Sequence, residues 1–414
     1  MRIINRRACG LDVHKKTVVA AVRVLSGDEA LVEAKRTFGT MTADLLGLSD
    51  WLTAHEVSVV AMESTGKFWK PVFNVLEGSF EVMVVNAQHV SKVPGRKTDQ
   101  SDAEWLAELL QYGLLKPSFI PPVGQRELRE LTRYRTSFIR ERVNLVNRVH
   151  KVLESANIKL ASVASDLMGV SGRAMLAALV DGQASAAQMA ELAKGRLRDK
   201  REALTKALDG RVKAHHRFVL TELLCQIDSI DETLARFDEQ IETYCRPFEA
   251  AVTVVDTIPG VGRQIAEGIV AEIGLDMTRF DSANHLASWA DVAPGNHESA
   301  GKRRSGKTRQ GNRPLNVLLN QAAHAAIRTK NTYLSAQYHR LAGRIGKKKA
   351  LVAVEHSILV IAYFLILRNE PYRELGGDYF DRRQPETTAK RLVKRLEKLG
   401  FNVLLQPVAA ASPP

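Results

Sequence analysis

The chain has 414 residues, room for two or three domains of ordinary size. Apolar residues make up 45% and charged residues 25%, which excludes a disordered, collagenous or simple-repeat chain. The net charge of +13 is uneven: residues 1–120 hold 14 basic and 14 acidic side chains, 121–250 hold 21 and 18, and 251–414 hold 24 and 14. A neutral first third joined to a basic last part points to a polyanion as the partner of the latter. Cys9, Cys225 and Cys245 are too scattered for a disulfide framework or a cysteine zinc site, and fit a reducing, cytoplasmic setting. The opening residues MRIINRRACGLD contain no apolar stretch of signal-peptide length. The uninterrupted apolar run Ser357–Leu367 is too short to span a bilayer, so it reads as a buried helix and no membrane partner is expected.

Taken in chain order, Arg7–Val13, Val18–Leu25 and Leu31–Phe38 read as strands separated by turn signals such as Ser26-Gly27-Asp28. Helix Met41–Ala54, strand Val57–Met62, helix Lys67–Leu76, strand Phe80–Val85 and amphipathic helix Asp99–Tyr112 follow. Three opening strands and then alternating helices and strands predict an α/β domain with a mixed sheet over residues 1–120, ending in a proline-rich linker, Lys116–Pro122. Residues 121–250 predict a coiled coil. Leu131, Arg135, Phe138, Arg142, Leu145, Val149 and Val152 step by three and four, as do Leu220, Leu223, Ile227, Ile230, Leu234, Phe237, Ile241 and Tyr244. Arg135 and Arg142 are poor seam residues. They face nucleic acid or a partner acid, or else snorkel from an intramolecular helical hairpin. Residues 162–193, rich in Ala and Ser, carry no clear signal. Residues 251–414 read as mostly helical, with Ile258-Pro259-Gly260-Val261-Gly262 resembling a helix–hairpin–helix turn that can offer backbone N–H groups to phosphate.

Four acids stand out by position. Asp12 ends the first strand, Glu63 ends the buried strand after it in Met62-Glu63-Ser64-Thr65-Gly66, and Asp99 and Asp102 open a helix at i and i+3. Each alone has an ordinary structural reading as a turn, cap or strand-end carboxylate. Together, in this strand–helix setting, they predict convergence on one sheet edge, where their repulsion calls for one or two Mg²⁺ ions suited to phosphodiester chemistry. His14, two residues from Asp12, points the same way on alternation and is a supporting candidate. No zinc spacing occurs among the histidines.

The segment Pro294–Pro314 carries six cations, Lys302, Arg303, Arg304, Lys307, Arg309 and Arg313, against one acid, and is no regular helix. All six are candidate nucleic-acid contacts. Within it Ser299 stands beside the cations, where a serine oxygen would attack only with a base, metal or positive field to favour its alkoxide. Gly301–Thr308 also satisfies G-x-x-x-x-G-K-[ST]. The flanking Pro294, Gly311 and Pro314 deny it the strand and helix of a nucleotide loop, so no nucleotide cofactor is expected.

GLDVHKKT at 10–17, MESTG at 62–66 and KTDQSDAEWLAELL at 97–110 resemble the DEDD motif of one transposase family. These are the bridge-RNA-guided insertion-sequence recombinases, related to Piv-type DNA invertases. The resemblance continues through LTRYRTSFIRERVNLVNRVHKVLE at 131–154, IPGVGRQIAEGIVAEIG at 258–274, LASWADVAPGNHESAGKRRSGKTRQGNRPLN at 286–316 and GGDYFDRRQPETTAKRLVKRLEKLGF at 376–401. It implies a RuvC-like (RNase H fold) N-terminal domain holding metal at Asp12, Glu63, Asp99 and Asp102, and a catalytic serine matched by Ser299, with Ser305 in the alternative register. It further implies a covalent phosphoserine link to cleaved DNA, donor and target duplexes, a structured noncoding RNA partner, and a composite site shared between protomers of a dimer or tetramer. Two rivals remain open: a RuvC-like metal-dependent junction nuclease without serine chemistry, and a non-catalytic nucleic-acid scaffold.

Overall fold

A computed structural model describes residues 2–25, 30–63, 66–90, 101–294, 297–299, 302–305 and 311–405, with 297–299 and 302–305 described by backbone alone. They fall into two compact units, Met1–Pro121 and Pro122–Pro414. The architecture is mixed α/β and mostly helical, its larger sheet confined to the first unit.

In the first unit, β1 (Arg7–Val13), β2 (Thr17–Leu25) and β3 (Leu31–Gly39) form an antiparallel meander. Then come α1 (Thr42–Ala54), β4 (Val59–Glu63), α2 (Trp69–Leu76), β5 (Glu81–Val85), the single turn α3 (Ala87–Val90) and α4 (Asp102–Gln111). The strand order is β3-β2-β1-β4-β5, with β4 parallel to β1 and β5 parallel to β4. Both faces are covered, which is why β1 and β4 are almost continuously apolar. Cys9, Leu11, Val60 and Met62 pack with Leu45, Leu48 and Leu52 of α1 and Val72, Phe73 and Leu76 of α2. Ala8, Val59 and Ala61 meet Leu110 of α4 on the other face. The expected helix start at Asp99 is corrected to Asp102. Ser101 closes the helix N-terminus by donating its N–H and hydroxyl to Glu104 Oε2 at 2.9 and 2.7 Å. The proline-rich linker also has a job: Ser118 N–H donates to Val84 O at 2.6 Å, satisfying part of the open edge of β5.

The second unit is built on two long helices, α5 (Val123–Ser155) and α10 (Ala214–Cys245). Between them lie α6 (Leu160–Val163), α7 (Val170–Asp181), α8 (Ala186–Glu191) and α9 (Arg201–Leu208). These short helices bring Leu160, Met175, Leu176, Met189 and Leu204 onto Leu145, Val149, Leu220 and Leu223 of the long pair, forming one core. A second core takes Leu128 and Ile241 from the opposite ends of the same pair. It joins them to α11 (Glu249–Asp256), α12 (Arg263–Ile273), α13 (Ala283–Trp289), α14 (Arg313–Ala326), α15 (Tyr333–Ile345) and α16 (Lys347–Arg368). Between α13 and α14 runs the hairpin β6 (His297–Ser299) and β7 (Lys302–Ser305); α17 (Tyr379–Arg383) and α18 (Pro385–Glu397) close the described chain. Residues 121–250 and 251–414, read separately in the sequence, thus share one compact unit.

Among the described residues one helix, α16, is long and apolar enough to cross a membrane. Its Val354, Ile358, Leu359 and Ala362 are wholly buried in the second core. At the turn before α12, Gly260 adopts φ +87°, and a Cβ there would lie 2.3 Å from Ala326 N and 2.6 Å from Ala322 O. Glycine is required because the turn lies directly on the α14 backbone.

Candidate active site

The register of β1 and β4 brings two of the four acids side by side. The last paired residues are Leu11 and Met62, and one step on stand Asp12 and Glu63, on adjacent parallel strands about 4.8 Å apart. Alternation puts both on the face that α4 covers.

The third acid, Asp102, is the first residue of α4, and contacts with β1 fix the direction of that helix. Its C-terminal end sits over the start of β1, where Ile4 N–H donates to Gln111 O at 2.9 Å and Asn5 Nδ2 to Leu110 O at 2.7 Å. At its N-terminal end, a Cβ on Gly10 would lie 2.1 Å from Ala103 O, so helix and strand backbones touch. Running antiparallel to β1, the helix begins at Asp102, whose neighbour Ala103 lies against Gly10, two residues before Asp12 on the same strand. Carboxyl ends of parallel strands are the usual site of chemistry in open α/β sheets.

Asp12 is partly buried, and His14 Nε2 lies 3.1 Å from its Oδ2, so the histidine predicted to support the acid does contact it. Lys35 of β3 reaches across to Ser101 Oγ at 3.0 Å and Glu104 Oε1 at 3.2 Å. Hydrogen bonds from Ser101, side chain first and then backbone, hold the Glu104 carboxyl below its ordinary pKa, with Lys35 adding to the effect. Glu104 is therefore a capping residue, and its signal, Ser-x-x-Glu, was readable at 101–104.

Asp99 lies outside the described residues. Among the described residues no three His, Cys, Asp or Glu side chains close around a single point. The donors Asp12, Glu63 and Asp102 are all carboxylates, a set suited to a hard divalent cation.

The candidate nucleophile lies in the other unit. In the hairpin, Ser299 of β6 pairs with Lys302 of β7, while Ser305 pairs with His297 at the far end. Ser299 is thus the serine next to the hairpin tip. Lys302, Arg303 and Arg304 lie on β7; Lys307 and Arg309 lie outside the described residues. Lys302–Ser305, inside the nucleotide-loop motif at 301–308, is a strand, and the rest of the motif lies outside the described residues. Arg313 is exposed at the first turn of α14. Beside it a cavity of about 460 Å³ is walled by Asp291, Asn316, Asn320 and Glu355. Burial pushes the Glu355 carboxyl above its ordinary pKa, against the hydrogen bond donated by Asn320.

The two seam arginines are engaged within the chain. Arg135 pairs with Asp238 of α10, and Arg142 with Asp231, its Nη2 donating to Oδ2 at 3.0 Å. Of the readings open in the sequence, the partner acid in an intramolecular hairpin is the one these contacts match.

Sequence reasoning missed Glu272 of α12, whose buried carboxylate gathers Arg129, Arg133 and Asn312. An acid inside the apolar helix Arg263–Ile273 was its only local signal.

Residues 9–158 match the DEDD IS110 transposase family and residues 252–339 the transposase IS116/IS110/IS902 family. The transposase for insertion sequence element IS1111A of Coxiella burnetii is 25% identical over 325 residues, covering 77% of this chain and 80% of that protein. A putative transposase, y4pF/y4sB, of Sinorhizobium fredii is 26% identical over 330 residues, covering 77% and 76%. The pilin gene-inverting protein of Moraxella bovis is 29% identical over 149 residues, covering 34% and 45%. Among solved structures, Thermus thermophilus RuvC aligns with a TM-score of 0.21 at 14% identity, over 27% of this chain and 99% of that one. The chain belongs to the IS110-type transposase family and is a DNA recombinase of the insertion-sequence kind.

Proposed function

We propose that this transposase cuts and rejoins DNA through Ser299, with Mg²⁺ held by Asp12, Glu63, Asp99 and Asp102, guided by a structured noncoding RNA. The observation that supports the reading is the adjacency of Asp12 and Glu63 at the carboxyl ends of the parallel strands β1 and β4, on the face where α4 packs. The strand order β3-β2-β1-β4-β5, antiparallel and then parallel, supports a RuvC-like, RNase H type of domain. The position of Ser299 next to the hairpin tip, opposite Lys302, supports it as nucleophile over Ser305.

In the proposed step the Ser299 oxygen attacks the scissile phosphorus and gives up its proton. One P–O bond to the neighbouring sugar breaks, that sugar leaves with a hydroxyl, and the cut strand stays joined to the protein as a phosphoserine ester. Attack by a hydroxyl from another strand reverses the exchange and releases the serine. The cations of β7, with Lys307 and Arg309, would neutralise the phosphate under attack. Bound Mg²⁺ would supply charge neutralisation at the carboxylate edge. A composite site, with the acids from one protomer and the serine from another, would make the active form an oligomer acting on donor and target duplexes in the cytoplasm. Pairing by RNA would let a protein choose sites with few base-reading contacts of its own.

Labelled element-end DNA, Mg²⁺ and protein co-purified with its flanking transcript test this directly. DNA attached to protein on a denaturing gel, lost in Ser299→Ala and on chelation, is the expected result. Nicking without adduct, unchanged in Ser299→Ala, would replace the reading with a junction nuclease that uses the same acids.

A further inference from the structure

Glu272 ties three distant parts of the second unit together. Its side chain is 1% exposed, and Arg133 of α5 holds both oxygens, Nε to Oε1 at 2.7 Å and Nη2 to Oε2 at 2.8 Å. Arg129, one turn away, donates Nη2 to the backbone oxygen of Glu272 at 2.6 Å. Asn312 Nδ2 completes the set at 2.7 Å from Oε2. Two guanidiniums and an amide offset the cost of burying the carboxylate.

Asn312 stands at the C-terminal root of the segment carrying β6 and β7. It also caps α14, Oδ1 accepting the Leu315 N–H at 3.2 Å. Its neighbour Gly311 donates N–H to Asp291 Oδ2 at 3.1 Å, spanning the two roots of the segment. A Cβ on Gly311 would lie 2.6 Å from Asp291 Cβ and 2.8 Å from Trp289 O, so only glycine lets the roots approach this closely. Two successive residues are therefore tied, one across the loop and one down to a buried acid. An apolar cluster of equal volume would stabilise the fold as well or better, whereas a paired, hydrogen-bonded acid specifies one arrangement.

We propose that Glu272 is a positioning residue for the serine hairpin: through Asn312 it sets where β6 and β7 stand on the helical core, and through Arg133 it couples them to α5. The inference rests on Ser299 as nucleophile. A displacement of about 1 Å at a reacting group costs about a hundredfold in rate.

Asn312→Ser is the decisive variant, because it keeps a capping oxygen, removes the amide donor and leaves the Glu272–Arg133 pair intact. In the full-length protein with its transcript, single-turnover adduct formation should fall about 10- to 100-fold. Half-saturation by DNA should stay within about twofold and the melting temperature nearly unchanged, a split that lost stability would not produce. The double variant Glu272→Met with Arg133→Met, which removes both charges and the acceptor together, should show the same loss, and adding Asn312→Ser to it should cost less than about twofold more. Adduct formation in Asn312→Ser within about twofold of the parent would overturn the proposal, as would a loss that tracks DNA affinity. Amide exchange provides a readout independent of the nucleophile: the N–H groups of 297–299 and 302–305 should exchange faster in Asn312→Ser, and unchanged exchange refutes the anchor. Adduct persisting in Ser299→Ala beside faster exchange would overturn the nucleophile and leave the anchor standing.

Discussion

Gly10→Ala adds a single methyl group where the backbone of α4 lies on β1. The new carbon would sit 2.1 Å from Ala103 O, 2.5 Å from Ala107 N and 2.8 Å from Leu106 Cβ. Ordinary contact begins near 3.4 Å, so α4 must retreat by about 1.3 Å. No side chain can rotate away, because the two nearest atoms are backbone. Overpacking of this kind costs about 3 kcal/mol. The lost freedom of glycine in the unfolded chain returns about 0.4–1 kcal/mol, leaving a net loss of roughly 2 kcal/mol. For a unit of this size that lowers the unfolding midpoint by about 5–10 °C. On the proposed metal site the same retreat displaces Asp102, so metal-dependent adduct formation should fall by about a hundredfold. Calorimetry of the full chain and the covalent-adduct assay measure the two effects separately. A midpoint within 1 °C of the parent (roughly 0.2 kcal/mol on this scale) would show that the helix does not press on Gly10. A normal midpoint lowering with undiminished adduct would instead separate α4 from the chemistry.

Two further outcomes follow from the electrostatics. Because Arg135 and Arg142 are held by Asp238 and Asp231, replacing either by leucine should leave the salt dependence of DNA binding unchanged and cost about 1 kcal/mol of stability or less. Lys302→Ala should reduce the logarithmic salt slope by about 1, and an equal reduction in Arg135→Leu would refute the assignment. Glu104 has its carboxyl lowered by Ser101, so its contribution is present above the unfolded value of about 4.3 and fades as pH falls through the lower folded value. Below about pH 4 the first turn of α4 should therefore exchange its amides faster, and Glu104→Gln should abolish that acid response.

The sheet was legible because its signals are local. The runs at Arg7, Val18 and Leu31 are bounded by turn residues, and the structure moves their ends by a residue at most. The start of α4 differs from the sequence expectation because the Ser101–Glu104 cap, rather than the acidic pair at 99 and 102, sets the first turn. The Arg135 and Arg142 pairings carried a readable hint: Asp231 and Asp238 repeat the same seven-residue spacing on the second helix. Residues 162–193 were opaque because their short helices are held by Leu145 and Leu223 of the long pair rather than by their own periodicity. Glu272 was the least accessible feature, with Arg133 139 residues before it and Asn312 40 after it. Burial and convergence at that range come from tertiary packing, which single-sequence patterns do not encode.

The charged rungs between α5 and α10 bear on how long this molecule has to be. Arg135–Asp238 and Arg142–Asp231 recur seven residues apart on both antiparallel helices, with Phe138 against Phe237 between them at 5.3 Å. The apolar cores lie beyond this waist, at either end. Removing or inserting one heptad in both helices together keeps every surviving rung in register and leaves each core with its own residues. The same change in only one helix orphans a charge and misaligns the aromatic pair. The distance between the cores can therefore vary among related chains in increments of about 10 Å, through paired insertions in two segments far apart in sequence.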